Sequence, residues 1–342
     1  MRIGLIARSD NSGLGNQTRE LAYMLNPDKI LLIDSTPFNQ NTQNVEWYKD
    51  YNVTKNIGFI KDKTALDFLK DLDVVISCEI FYNKKFPVFA KQAGVKTVLQ
   101  YNYEFLDNLQ NPELSLPDIL LSPSTWGLED VVSKFGKSCS VIHLPPPTRH
   151  ELFKNARDLN SKPNRKLLHI AGKVAIKDRN GTDTVIEMMK HSKQDFTLEI
   201  RSQVKLNYSI DDDRIKIITD DIKNQEDLYS GYDAMVLPRR YAGLCLPMNE
   251  ALLSGLPVFM TDISPNNQVL PSEWLVASYK TDQLMTRTML DVYSADPKQL
   301  AAKIDFYMSS DQTAAKALAF DIGYSNFSSE SLKQKYLDII KL

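Results

Sequence analysis

The sequence predicts an α/β protein built as two layers of parallel sheet covered by helices. Three observations carry that prediction. Short apolar runs alternate with helical segments, a proline-rich polar stretch interrupts them near the middle, and the alternation then restarts. At 342 residues the chain exceeds one ordinary core and suits two domains.

In the first half, strands are expected at Ile3–Ala7, Lys29–Ile33, Asn56–Ile60, Val74–Ser77, Lys96–Gln100, Ile119–Ser122 and Ser140–His143. Helical spacing falls at Asn16–Leu25, Ala65–Leu69, Lys85–Ala93 and Thr125–Phe135. HLPPPTRHELF and KNARDLNSKPNRK then combine prolines with a polar run lacking apolar periodicity, which reads as a linker over Pro145–Pro163. Beyond it, strands are expected at Lys166–Ala171, Phe196–Arg201, Ile215–Thr219, Ala234–Leu237 and Val258–Thr261. Helices are expected at Thr182–Lys190, Gln225–Ser230, Pro247–Ser254, Pro297–Met308 and Thr313–Phe320. The last segment, FSSESLKQKYLDIIKL, spaces Leu332, Tyr336, Leu337 and Ile340 helically and would pack across domains. The expected division is 1–150, 151–324 and a terminal crossover helix at 325–342. Facing αβ layers would leave a cleft at the strand carboxyl ends, where open sheets bind ligands.

Hydrophobic content of 43% and charged content of 25% are those of a globular protein in water, and the net charge of −2 gives no global field for nucleic acid. Cys78, Cys139 and Cys245 are far apart and match neither metal spacing nor a disulfide framework. The apolar run in MRIGLIARSD is too short for a signal peptide, and no stretch nears the roughly 18 apolar residues of a membrane span. A cytoplasmic protein is expected.

Three strand-to-helix turns offer chemistry. In SDNSGLGNQTR, Gly13 and Gly15 open a helix after a strand, so free backbone amides would meet a phosphate. Thr18 stands where a dinucleotide fingerprint needs a third glycine, and Asp34 only loosely supplies its acidic residue. In GKVAIKDRNG, Lys173, Lys177 and Arg179 place cations beside Gly181, either to neutralise a diphosphate or as a solvated basic turn. In PRRYAGLCLPMNEALLSGLPV, the amides of Gly243, Leu244 and Cys245 precede a helix beginning near Pro247. Glu250 lies in its first turns, where it would accept two ribose hydroxyls or serve the helix dipole.

That last stretch resembles the donor-binding motif of retaining GT-B glycosyltransferases (family 4, or group 1), which reads roughly P-S-x-x-E-G-F-G-L-P-x-x-E-A-x-A-x-G-x-P-V. Pro238, Gly243, Leu246, Pro247, Glu250, Ala251, Gly255, Pro257 and Val258 match it. The resemblance extends loosely over most of the chain. HLPPPTRHELF is similar to the family's interdomain segment, and GKVAIKDRNG to its phosphate clamp. IGLIARSDNSGLGNQT is faintly similar to bacteriophage members, and would place the protein in a bacterial cell or a phage-infected host.

The resemblance implies a GT-B fold, with two Rossmann-like domains facing across a cleft and the C-terminal helix returning to the N-terminal domain. It implies transfer of a hexose or pentose, with retention and without a metal or cofactor, from a UDP- or GDP-type nucleotide sugar. Lys173 and Arg179 would be catalytic, stabilising the departing diphosphate. Gly13, Gly15, Ile222, Lys223, Gly243, Leu244, Cys245, Leu246 and Glu250 would bind the donor. With no histidine in LQYNYEF, Asp10, Tyr101, Asn102 and Glu104 would face the acceptor. Two departures stand out. Ala242 replaces a glutamate that contacts the donor sugar, and Arg239 and Arg240 replace a serine and its neighbour. The arginines would reach a phosphate or an acidic sugar, or stand as a surface pair. The acceptor would be a hydroxyl on a glycan, protein or small molecule. The alternatives are a hydroxylated base in DNA, or a nucleotide-sugar-binding protein without transferase activity.

Overall fold

A computed structural model describes residues 1–342 except 40, 111–114, 158, 160, 161, 173–177, 209, 220, 221, 223, 242 and 342, and the side chains of 108 and 110. The chain divides into two compact units. Unit 1 comprises Met1–Thr148, Thr286–Thr288 and Ser329–Leu342; unit 2 comprises Arg149–Met285 and Met289–Ser328.

Unit 1 holds β1 (Ile3–Arg8), β2 (Lys29–Asp34), β3 (Val53–Ile57), β4 (Val74–Cys78), β5 (Lys96–Gln100), β6 (Ile119–Ser122) and β7 (Ser140–His143). They form one seven-stranded parallel sheet, ordered β3-β2-β1-β4-β5-β6-β7. Successive side chains point to opposite faces, and both faces are apolar because helices cover both. Leu5, Ala7 and Ile76 join the layer containing α1 (Gly13–Leu25) and α9 (Ser329–Lys341). Ile6, Val75 and Leu99 join the layer of α2 (Asp62–Leu69), α3 (Phe86–Gln92) and α4 (Leu128–Phe135). The terminal helix is fastened through Tyr336, whose hydroxyl donates to the Pro145 carbonyl (2.9 Å) and accepts from the Gln100 amide (3.2 Å).

Unit 2 holds β8 (Lys166–Gly172), α5 (Thr182–His191), β9 (Thr197–Ser202), β10 (Ile215–Ile218), β11 (Ala234–Leu237), α6 (Leu246–Leu253), β12 (Val258–Thr261) and β13 (Leu275–Val276). Its six-stranded parallel sheet runs β10-β9-β8-β11-β12-β13. An antiparallel hairpin follows, β14 (Ser278–Met285) with β15 (Met289–Ala295), then α7 (Pro297–Ser309) and α8 (Thr313–Phe327).

Four expectations need correction. Strand β3 ends at Ile57 rather than Ile60 because Gly58 turns the chain at φ 65°. Helix α8 continues past Phe320 to Phe327. The hairpin and β13 were not expected. The described part of Pro145–Pro163 is packed, not slack. Phe153 and Ala156 enter the core of unit 2, and the Arg157 guanidinium lies 3.5 Å from the Phe320 ring centre.

Candidate active site

In unit 2 the strand order reverses between β8 and β11, because β8 leads to β9 on one side while β11 and β12 lie on the other. Such a switch point opens a crevice at the strand carboxyl ends. A pocket of about 240 Å³ occurs there, bounded by Ala171 and Gly172 at the end of β8, Arg239 after β11, Leu244 and Cys245 before α6, and Arg179 before α5.

Its walls are held by specific bonds. The Asn180 amide donates to the Ile170 and Ala171 carbonyls (3.0 and 3.2 Å), pinning the turn onto the strand end. Gly181, at φ 72°, brings the chain so near Pro238 that a Cβ would lie 2.4 Å from the Pro238 carbonyl oxygen. Beneath the pocket His169 joins three elements. Nδ1 must carry the proton because its partner is the Val236 carbonyl (2.8 Å), so Nε2 accepts from the Thr182 hydroxyl (3.0 Å). Burial pushes this imidazole down to about 4, leaving it neutral and structural.

The pocket's charge comes from two guanidiniums. Arg179 stacks on the Tyr241 ring at 4.9 Å, and its carbonyl accepts from the Arg240 amide (2.9 Å). Arg239 is only 4% exposed. It makes one long bond to the Leu244 carbonyl (3.4 Å), while its Nε has no partner among the described residues. A buried cation so thinly satisfied is costly unless an anion completes it. Arg239 is therefore no surface residue, whereas Arg240 is tied to the Tyr293 carbonyl and to the Ser294 hydroxyl.

Arg179, expected to be catalytic, lines this pocket with Leu244 and Cys245 of the expected donor-binding set, and Gly243 (φ 133°) and Leu246 adjoin in sequence. Glu250 is 6% exposed, and its two oxygens accept from the Gln225 amide and the Tyr229 hydroxyl. Burial, then the Glu250 carboxylate, push that phenol far above its usual range. Ile222 is half-buried in irregular backbone. Lys173, Lys177, Lys223 and Ala242 lie outside the described residues.

In unit 1 the corresponding reversal falls between β1 and β4. Asp10, just past β1, is fully buried. Its carboxylate accepts from Arg8, from the Ser12 and Ser35 hydroxyls (2.7 and 2.8 Å) and from Asn39 (3.1 Å). Burial alone would raise its pKa, but the bonds from Ser12 and Arg8 hold it below the usual carboxylate range. This knot anchors the glycine turn. Ser12 caps α1 by accepting from the Gly15 amide (3.1 Å), and a Cβ on Gly15 would fall 1.8 Å from the Asp10 carbonyl oxygen. The Gly15 amide is thus already engaged, while Gly13 is exposed at the first position of the helix. Thr18, in place of a third glycine, accepts from the Arg8 amide (3.1 Å) and so locks α1 to β1.

Tyr101 and Asn102 sit on the wall of a second cavity, of about 720 Å³, at the carboxyl ends of β4 and β5. Glu104 follows in a 3-10 segment, its carbonyl accepting from Thr286 (2.9 Å) and the Arg287 amide (3.1 Å) of the same unit. Glu79, which sequence reasoning passed over, shares the cavity wall. It stands one residue past β4 at φ 68°, a conformation rare for a side-chain-bearing residue. Burial, opposed by Arg8 and helped by Glu104, pushes its carboxyl upward. The available signal was a carboxylate directly after a central strand.

No family profile and no curated protein matches the sequence. Solved structures do match. A glycosyltransferase from Rickettsia africae superposes with a TM-score of 0.70 over 99% of this chain and 97% of that one, at 13% identity. HepE from Anabaena, in complex with UDP and glucose, gives 0.68 over 100% and 99% at 11% identity. Sucrose-phosphate synthase from Thermosynechococcus elongatus gives 0.66 over 100% and 98% at 14% identity. The fold is GT-B. Each Rossmann-like unit of this GT-B chain thus carries its concave site at the carboxyl edge of its sheet. Among the described residues, no helix is long and apolar enough to cross a membrane.

Proposed function

We propose that the chain is a glycosyltransferase that moves a sugar from a UDP-type donor to a hydroxyl acceptor, with retention at the anomeric carbon. The observation that carries this is the arginine pocket of unit 2, where the Arg239 guanidinium is buried beside Arg179 with one nitrogen unpartnered among the described residues. HepE, of the same fold, was solved with UDP and glucose. The nine motif matches around Pro238–Val258 are those of retaining enzymes.

The barrier in such a transfer is charge separation. The bond between the anomeric carbon and the diphosphate oxygen breaks with its electron pair going to UDP, leaving the sugar cationic. The acceptor oxygen bonds that carbon, and its proton leaves with the departing diphosphate. Arg179 and Arg239 would hold the growing negative charge in a water-poor pocket, where fixed cations act strongly. Lys173 would add a third cation. The amides of Gly243 to Leu246, at the start of α6, would touch phosphate and sugar. Glu250 would take the two ribose hydroxyls, its carboxylate oriented by Gln225 and Tyr229. Ile222 and Lys223 would frame the base.

The test is a donor screen. The protein is incubated with UDP-glucose, UDP-galactose, UDP-N-acetylglucosamine and GDP-mannose, and nucleoside diphosphate release is followed alongside calorimetric titration with UDP. Release from a UDP sugar is expected. Binding without release from any donor, across an acceptor panel, would make the chain a nucleotide-sugar-binding protein. Neither binding nor release would sink the proposal.

A further inference from the structure

At the free edge of the unit 1 sheet, β3 ends in an exposed apolar tip. β3 has one neighbouring strand, β2. Ile57, its last residue, is 72% exposed, and Phe59, just past the Gly58 turn, is 66% exposed. Phe38, 42% exposed, meets Phe59 edge-on with ring centres 5.0 Å apart. The turn is seated against the same segment, since a Cβ on Gly58 would lie 3.4 Å from the Pro37 ring. Single exposed apolar residues are ordinary, but a contiguous group of large ones marks a surface that something covers.

The rim of this tip is basic. Residues 55–63 are joined to 82–88 by several bonds. The Ile60 amide donates to the Tyr82 carbonyl (2.8 Å), the Asn83 amide to the Ile60 carbonyl (2.9 Å) and to Asp62 (3.0 Å), and the Lys85 ammonium to Asp62 (3.4 Å). Together these stretches carry Lys55, Lys61, Lys63, Lys84 and Lys85, all exposed, against Asp62 alone. Five ammoniums less one carboxylate leave +4 on a chain whose net charge is −2. Lysine on an edge strand discourages strand pairing, but four of the five lie outside β3. Local stability does not account for those four either. Lys61 caps α2, Lys63 is in its first turn, and Lys84 and Lys85 immediately precede α3, all places where a cation opposes the helix dipole.

We infer that this corner of unit 1 docks onto an anionic lipid bilayer. Ile57, Phe59 and Phe38 enter the boundary between headgroups and acyl chains, and the lysines meet lipid phosphates. Composition separates a bilayer from other partners. Protein interfaces favour arginine and are depleted in lysine, and nucleic acids are gripped by arginine and stack their bases on rings. Here every cation is a lysine, and the most exposed apolar side chain of the tip is Ile57, which has no π face. Lysine's long stem keeps its ammonium at headgroup level while the apolar tip goes deeper. The inference concerns unit 1 alone and goes beyond the transfer reaction.

The experiment sediments the full chain with vesicles of phosphatidylcholine, and with vesicles of phosphatidylcholine and phosphatidylglycerol in equal parts. Binding to the mixed vesicles is expected, weakening as salt is raised, with little binding to the neutral ones. Replacing Lys61→Glu and Lys63→Glu together should weaken it roughly twenty-five-fold or more, since each lysine near an anionic surface is worth about fivefold. Replacing Ile57→Ser and Phe59→Ser together should weaken it about tenfold or more. Phe306→Ser, at an equally exposed ring of α7 in unit 2, should leave it unchanged. Absence of binding to the mixed vesicles overturns the inference, as does equal binding to the neutral ones. Binding that is indifferent to either double substitution, or that falls as far with Phe306→Ser, overturns the assignment to this corner. Displacement of the vesicles by a short DNA duplex, lost in the lysine variant, would make the face a nucleic-acid site and overturn the stated partner.

Discussion

At the carboxyl edge of unit 2, the ends of β8 and β11 carry two arginines around a pocket of about 240 Å³. At the same edge of unit 1, the connections after β3, β4 and β5 carry five aromatic rings and two carboxylates around about 720 Å³. Both sheets are parallel and both reverse their strand order beside the site. Sheet topology therefore decides where each concavity lies, and the residues just past the strands decide what it accepts. A cationic pocket suits a diphosphate; an aromatic one suits an apolar body.

The strongest way to break the contrast is charge reversal at Arg239. Arg239→Glu removes a buried guanidinium and sets a carboxylate against the phosphates. Losing one charged hydrogen bond costs roughly 1.5–3 kcal/mol, and the new repulsion adds to it, so UDP affinity should fall about a hundredfold or more. Calorimetric titration with UDP measures this. UDP affinity within about threefold of the parent protein would remove Arg239 from the donor site.

Acid should separate the units next. His169 lies under the unit 2 pocket with its pKa lowered from 6.5 to about 4 by burial. The unfolded chain binds that proton below pH 6.5 and the folded chain only near pH 4, so unit 2 loses stability as pH falls through this window. The loss is on the order of 3 kcal/mol. The buried polar pair in unit 1 is instead Gln17 with Gln100, whose amides do not titrate. Unit 1's acid-sensitive knot is Asp10, held below its usual 3.8, so its contribution persists above that value and disappears as pH falls through the folded pKa. Glu79, with its pKa raised, works the other way: protonation favours the folded state as pH falls. Hydrogen exchange at pH 7 and pH 5 should therefore show loss of protection in β8 and β11 before β1 and β4. Equal loss in the two sheets would contradict the His169 assignment.

The architecture was legible because buried parallel strands are continuous apolar runs, as in LLHIA and AMVL, and those positions needed no tertiary information. The hairpin was illegible for the opposite reason. β14 reads SYKTDQLM, is exposed along most of its length, and turns through Thr286–Thr288 without an Asn-Gly or Asp-Gly signal. Arg239 and Arg240 are neighbours of identical type, so sequence left open which was buried. Backbone placement separated them, putting Arg239 on the pocket wall and Arg240 against β15. Glu250 stood out through its motif, but its orienting partners, Gln225 and Tyr229, come from a segment 21 to 25 residues earlier. The aromatic cavity was least legible of all. Phe59, Phe81 and Phe105 come from three separate connections, and each alone reads as an ordinary core residue.

The smallest expected effect is at Tyr101, and it tests the unit 1 side of the contrast most directly. Its hydroxyl is buried without a well-formed partner, and burial pushes the phenol up to about 12, with the Ser122 hydroxyl pulling the other way. Deleting a satisfied buried hydroxyl costs about 1 kcal/mol or more, whereas deleting an unsatisfied one is close to neutral. Tyr101→Phe should therefore leave urea stability unchanged, or raise it by a few tenths of a kcal/mol, and should leave UDP affinity alone. A stability loss above about 1 kcal/mol would mean that the hydroxyl is already paired within unit 1.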